Sequence, residues 1–143
     1  MKSAIQSLEV SCLLHETEDM EKVNSVVAGL VGSDVTPEVE EMTGHFGNRI
    51  RRVSFHLDGI EATKSFQGIV ERLPQRLRAD LAKNVGQYLD EHSSLFLRFD
   101  KQRLVRGEVE MGTNDSVRIK VKPRAYQIRG RADEFFVSIL MGA

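Results

Sequence analysis

The sequence is short of the residues from which several kinds of small protein are built. Its 143 residues include one cysteine, three prolines and no tryptophan. A single cysteine excludes an internal disulfide framework and favours a reducing, cytoplasmic location. Net charge is also scarce, at −1, and together with 41% hydrophobic residues this excludes an intrinsically disordered chain. We therefore expect a single folded domain over residues 1–143 that needs neither a disulfide nor a bound metal for stability.

Long apolar runs and catalytic motifs are missing as well. The longest nearly apolar stretches, residues 26–32 and 135–143, are shorter than half of the roughly 20 residues that a membrane-spanning helix needs. The sequence contains no pair of cysteines, no H-x3-H spacing, no phosphate-binding glycine loop and no G-x-S-x-G motif. We therefore expect no membrane contact, no metal, no cofactor and no enzymatic activity.

The charges that are present are unevenly distributed. Residues 1–48 carry two basic and nine acidic side chains, whereas residues 98–131 carry ten basic and four acidic ones. A basic surface concentrates polyanions around it whatever the total charge of the protein. The second half of the chain therefore favours a nucleic-acid partner, and the acidic first half is left for a protein partner.

The spacing of apolar residues in the first half predicts three strands and two helices. Strands are expected at residues 4–15, 37–43 and 49–57, the last two as a hairpin around a glycine-rich loop. Helices are expected at about residues 18–31 and 58–73. Thr17 is the predicted N-cap of the first helix, Gly32 ends it, and Asp58 with Glu61 forms a predicted capping box at the start of the second. Cys12 has the parity of the apolar residues in the first strand, which predicts a buried thiol.

In the second half the same reasoning predicts another helix, three strands and a closing helix. The helices are expected at roughly residues 75–91 and 132–141. The strands are expected at residues 95–99, 105–111 and 117–121, with residues 112–115 as a hairpin turn between the last two. The predicted fold class is α+β, with a largely antiparallel sheet packed against helices.

The best candidate binding surface in the sequence is the basic strand near its end. Arg118, Lys120 and Lys122 alternate with apolar residues, so they should stand on one face about 6–7 Å apart, a spacing close to the repeat of a phosphate backbone. We assign the neighbouring cations to the same contact surface: Arg98, Lys101, Arg103, Arg106 and Arg124. A second predicted contact combines an aromatic ring with three nearby arginines: Phe46, Arg49, Arg51 and Arg52.

These segments resemble a known family in both order and spacing. The segments are Gly44-His45-Phe46-Gly47-Asn48, Leu97-Arg98-Phe99-Asp100-Lys101-Gln102, the pair Gly107-Glu108, and the basic strand 117–122. The family they resemble is archaeal, is catalogued as RNA-binding with a fold like that of a double-stranded-RNA-binding domain, and is a predicted subunit of the exosome. The resemblance implies RNA as a partner, together with proteins of the RNA-processing machinery.

Two descriptions of the fold follow from this resemblance. In the first, the predicted order from residue 75 onwards is αβββα, which is the order of a double-stranded-RNA-binding domain. In the second, by similarity to ribosomal protein L5, the whole chain forms one sheet covered by helices. Double-stranded-RNA-binding domains span phosphates with basic residues at the start of their second helix. Here Arg129 and Arg131 stand at that place, but Asp133 and Glu134 follow at once, a departure from the family pattern.

Two functions of other classes stay open at this point. One is a protein-interaction domain, or a homodimer formed through an exposed strand edge, in which the cations only keep the sheet soluble. The other is a small hydrolase or nuclease that uses His45 with Asn48 and the arginines around an anion. Because His45 belongs to no recognisable catalytic motif, we expect a non-enzymatic protein that contacts the RNA backbone through a basic strand face.

Overall fold

The computed structural model describes residues 4–32, 34–125 and 130–142, and it confirms the predicted α+β class. Five strands form a single sheet: β1 (Ile5–His15), β2 (Glu38–Thr43), β3 (Arg49–Asp58), β4 (Leu95–Asp100) and β5 (Ser116–Pro123). Five helices occur in this part of the chain: α1 (Met20–Val31), α2 (Gly59–Arg72), α3 (Gln75–Lys83), α4 (Lys101–Val105) and α5 (Ala132–Leu140). A short 3-10 turn at Val85–Tyr88 follows α3.

The sheet has the order β2-β3-β1-β5-β4, and every neighbouring pair is antiparallel. Because side chains alternate along a strand, the apolar set of each central strand falls on one face. Val10 of β1, for example, lies between Phe55 and Ile119, and Ile119 in turn faces Leu97. All four side chains are buried in one hydrophobic core that draws on both halves of the chain.

Helices cover this apolar face of the sheet. α1 and α2 pack on β1, and α5 packs on α2 and α3. Phe66 of α2 meets Phe136 of α5 edge to face, with 6.2 Å between the ring centres, and both rings are fully buried. Cys12 lies in this core, as its parity predicted, and burial raises the pKa of its thiol to about 11. None of the described helices is long and apolar enough to cross a membrane.

The helix ends differ from the predicted ones in two places. Asp19, not Thr17, caps α1, because its carboxylate accepts a hydrogen bond from the backbone N–H of Lys22 at 3.1 Å. Asp58 precedes α2 but makes no capping hydrogen bond with its side chain, since that carboxylate is 3.0 Å from Nε2 of His56. The predicted capping box is therefore wrong. Gly32 ends α1 as predicted, with a φ of 69° that favours glycine.

The largest departure from the predicted fold lies between β4 and β5. The strand expected at residues 105–111 does not form; α4 occupies Lys101–Val105, and of the following residues only Met111 makes an isolated bridge, to Phe99. β4 and β5 therefore pair directly, so residues 112–115 are not a turn between adjacent hairpin strands. Among the described residues from α3 onwards, the order is αβαβα instead of αβββα, and α3 itself ends at Lys83.

Candidate nucleic-acid interface

The face of the sheet opposite the helices, called here the open face, carries exposed polar side chains from all five strands. On it, β5 presents Arg118, Lys120 and Lys122, while Val117, Ile119 and Val121 are buried on the other side. The register with β4 sets Arg98 directly beside Arg118. We name these four residues the cationic strip: Arg98, Arg118, Lys120 and Lys122. The alternation predicted for this strand is confirmed.

The cations of the strip are not neutralised by carboxylates. Among the described residues, Arg118, Lys120 and Lys122 form no ion pair. Glu9 is the register partner of Lys120 on β1, but its carboxylate lies 3.4 Å from Nδ1 of His56. Arg98 donates a hydrogen bond from Nη1 to the carbonyl oxygen of Thr113 at 3.3 Å, which leaves its charge uncompensated. The strip therefore offers positive charge to an external anion.

An aromatic ring that the sequence analysis did not single out stands next to the strip. Phe96 of β4 is 41% exposed on the open face, and Nζ of Lys120 lies 5.5 Å from the centre of its ring. An exposed ring beside cations is a stacking surface for a nucleic-acid base. A local signal could have found it, because Phe96 has the parity of Arg98 and not that of the buried Leu95 and Leu97.

The prediction that Lys101 contacts RNA is wrong. Its side chain is fully buried, and Nζ donates hydrogen bonds to the carbonyl oxygen of Leu13 at 2.7 Å and to Oε1 of Glu18 at 2.7 Å. Oδ1 of Asp115 is 2.8 Å away on the other side. The ammonium group is thus enclosed by three oxygen partners and cannot reach an external phosphate.

The remaining cations of the predicted main surface lie outside the strands; for Arg106 this is because the strand expected at residues 105–111 does not form. Arg103 belongs to α4 and pairs with Glu108 at 3.2 Å and Glu110 at 3.6 Å. The hydrogen bond with Glu108 and the nearby carboxylates raise the pKa of its guanidinium further. Arg106 is exposed at the C-cap of α4, and the backbone N–H of Arg124 donates to the carbonyl oxygen of Ala4 at 3.2 Å, just beyond β5.

The second predicted contact is divided between the two faces of β3. Arg49 and Arg51 share a parity and both pair with Glu41, at 3.7 and 2.8 Å; the hydrogen bond from Arg51 lowers the pKa of that carboxyl. Arg52 lies on the open face, in register with Leu13. Phe46 is 92% exposed at the tip of the β2–β3 hairpin, where His45 packs edge to face on it with ring centres 5.0 Å apart.

In its described part, the helix that would carry a lysine-rich contact offers no comparable surface. Arg131 pairs with Glu134 at 3.5 Å, and Arg129 lies outside the described residues. Within the described ranges, no three side chains of His, Cys, Asp or Glu type come together as a metal site would require. The open face is therefore the candidate interface that the geometry brings together.

Comparison with known proteins agrees with a nucleic-acid interface. A family model described as RNA binding matches residues 7–123, a region that contains the whole cationic strip. An uncharacterised protein of Methanocaldococcus jannaschii is 29% identical over 124 residues, 79% of this chain and 80% of the relative. An RNA-binding protein of Pyrococcus abyssi is 27% identical over 138 residues, 92% of this chain and 90% of the relative.

Solved structures share the fold along nearly the whole chain. The crystal structure of a protein from Archaeoglobus fulgidus matches with a TM-score of 0.78 and 27% identity. The match covers 94% of this chain and 99% of that one. The overall fold described here is therefore similar to one that a related protein adopts in a crystal.

Proposed function

The chain belongs to the RNA-binding family, and from this premise we propose that it binds the sugar-phosphate backbone of RNA through the cationic strip, without cleaving the RNA. The observation that carries the proposal is the exposed row of Arg118, Lys120 and Lys122, none of which is paired with a carboxylate in the described part of the chain. Alternate positions on a strand are about 6–7 Å apart, so the row can follow consecutive phosphates. Binding then gains from the release of condensed counterions.

The position of Phe96 supports the same surface. A backbone that runs along β5 brings bases over β4, where Phe96 is exposed beside Lys120. Stacking of a base on an aromatic ring tolerates any sequence, because every base has a flat face. The combination of cations for phosphates and a ring for a base is the usual composition of a surface that binds RNA without reading its sequence.

Two phenylalanine variants test this placement. Phe96→Ala should weaken binding of a labelled single-stranded RNA about tenfold, within the roughly 1–3 kcal/mol that stacking contributes per base. Phe46→Ala should have a smaller effect, because Glu41 pairs with two of the three arginines assigned to the same contact. Fluorescence anisotropy titrations measure both, and denaturing gels of the same samples should show intact RNA. Equal losses in the two variants would contradict a site on the open face. Cleavage that disappears in His45→Ala would contradict the absence of catalysis.

The resemblance also leads us to propose an accessory role in the exosome. Glu38 and Glu40 are exposed on β2, the edge of the sheet farthest from β4, so an acidic surface for a basic protein partner is available while RNA occupies the cationic strip. Exosome subunits should co-purify with the protein from nuclease-treated extract at physiological salt, and Glu38→Lys with Glu40→Lys should reduce their recovery. Recovery of RNA without any exosome subunit from untreated extract would contradict this role.

A further inference from the structure

A pocket with a mixed polar and apolar lining opens on the open face beside the cationic strip. It lies over β1, between β3 and the start of β5. Leu13 and His15 line it together with five polar or charged residues: Ser11, Arg52, Asn114, Ser116 and Arg118. In register terms, Ser11 and Arg118 are partners across β1 and β5, and Arg52 lies opposite Leu13 on the other side of β1. The pocket is thus built by three strands that the fold brings together from distant parts of the chain.

Ser116 supplies an independent sign that this pocket takes a ligand. Its side chain has the parity of Arg118, so it belongs to the open face, yet only 7% of the residue is exposed. Its Oγ makes no hydrogen bond with any described residue. A buried hydroxyl without a partner costs free energy, and rotation about its Cα–Cβ bond turns it between three staggered positions. A bound group that pairs with this hydroxyl would remove the cost.

The charges around the pocket divide it into a rim and a floor. Arg52 and Arg118 are exposed at the rim; Glu40 of β2 is the register partner of Arg52, but neither arginine forms an ion pair in the described part of the chain. The carboxylate of Asp115, which also borders the pocket, is held by Nζ of Lys101 at 2.8 Å, so its charge is compensated. Below the rim, the half-buried Ser11 and the buried Ser116 offer both donors and acceptors, and Asn114 adds an exposed amide at the edge of the pocket. A cationic rim over a neutral polar floor complements a nucleotide, with its phosphate above and the edge of its base below.

We propose that this pocket receives one unpaired nucleotide, so that the protein binds single-stranded RNA in preference to a duplex. The inference rests on the proposed RNA-binding function and names its substrate class. In a duplex the base edges are paired and the bases stacked, whereas an unpaired base can be splayed out and hydrogen-bonded along its edge. Recognition of this kind differs from that of a double-stranded-RNA-binding domain, which reads the shape of a helix.

The test compares one labelled RNA of mixed sequence, single-stranded or annealed to its complement, at one salt concentration. The protein should bind the single strand about tenfold more tightly, a ratio worth about 1.4 kcal/mol. Ser11→Leu fills the pocket with a larger apolar side chain and should lower the affinity for the single strand to that for the duplex. Ser116→Ala removes only the hydroxyl and should reduce the preference several-fold. Lys64→Ala on α2, behind the sheet, serves as the control and should retain the preference.

The outcomes separate this inference from the function on which it rests. Equal affinity of the unaltered protein for the two RNAs overturns the nucleotide pocket but leaves backbone binding standing. A preference that survives in Ser116→Ala and in folded Ser11→Leu also overturns the pocket. If Ser11→Leu does not give the circular dichroism spectrum of the unaltered protein, Ser116→Ala decides. Binding of neither RNA, even at low salt, overturns the pocket and the proposed function together.

Discussion

Replacing Arg118, Lys120 and Lys122 together by alanine should weaken the binding of single-stranded RNA about 100-fold at 0.1 M monovalent salt. Each phosphate contact contributes about 0.7 to the slope of log K against log salt for a single strand, so three contacts account for about two units. If the variant and the unaltered protein bind equally at 1 M salt, a difference of two units in slope makes their affinities differ about 100-fold at 0.1 M salt. Anisotropy titrations across a salt series measure both the affinity and the slope.

A second triple variant shows whether location or total charge is responsible. Arg72→Ala, Arg76→Ala and Lys83→Ala remove three exposed cations from α2 and α3, so the net charge changes by the same amount. This variant should keep the slope of the unaltered protein, because its cations do not lie on the open face. Equal losses in the two variants would point to general attraction alone. If the strip variant binds RNA like the unaltered protein, an interaction domain or homodimer becomes the better description.

The cationic strip could be predicted from the sequence because its geometry is local. Side chains alternate across any strand, so once Val117, Ile119 and Val121 are assigned to the core, Arg118, Lys120 and Lys122 must face outward. The same argument places Cys12 in the core. The row of three cations on β5 depends only on that strand, whereas Arg98 joins the strip through the register of β4 with β5.

The segment after β4 could not be predicted in this way, because distant partners determine its structure. The spacing of apolar residues between Val105 and Met111 is typical of a strand. The chain instead begins a helix after Asp100, whose carboxylate accepts a hydrogen bond from the backbone N–H of Arg103 at 2.9 Å. The buried side chain of Lys101 pairs with Glu18, which is 83 positions away in the chain. No pattern within the segment reveals that pairing.

The composition of the site beyond the strip depends on sheet register. Alternation along β3 places Arg52, but not Arg51, on the open face. The pairing of β1 with both β3 and β5 is also needed to bring Arg52 into the same pocket as Ser11 and Arg118. Phe46 stands out in the sequence because a glycine-rich loop exposes it. Parity alone places Phe96 on the same face as Arg98, but its position beside Lys120 follows from the register of β4 with β5.

The burial of Lys101 gives the second large expected effect: Lys101→Met should lower the free energy of unfolding by about 3 kcal/mol. Removing one partner of a buried ion pair costs about 3–5 kcal/mol, because the other charge is left without compensation. The lower end applies here, since the side chain of Glu18 is 15% exposed and that of Asp115 is 49% exposed, so water can solvate them in part. Urea unfolding measures the change, and the melting temperature should fall by about 10 °C.

The pH dependence of the same network has a definite sign. Burial lowers the pKa of Lys101, but the hydrogen bonds and charges of Asp115 and Glu18 outweigh it, so the pKa in the folded protein is raised above that of a free lysine. The folded state then holds the proton more tightly than the unfolded chain does. The stabilisation is complete below the unfolded pKa of about 10.4 and is lost as the pH rises through the folded pKa. The loss of stability at alkaline pH should therefore be smaller in Lys101→Met than in the unaltered protein.

A compensated variant separates the ion pairs from simple packing. Adding Glu18→Gln and Asp115→Asn to Lys101→Met removes the unpaired charges, and part of the lost stability should return, because replacing a whole buried ionic group costs less than breaking it. RNA titrations of Lys101→Met, carried out below its melting temperature, should show an unchanged salt slope, since the ammonium contacts no phosphate. A shallower slope in this variant, without loss of stability, would mean that Lys101 reaches RNA after all and that its contacts with Leu13, Glu18 and Asp115 do not hold in solution.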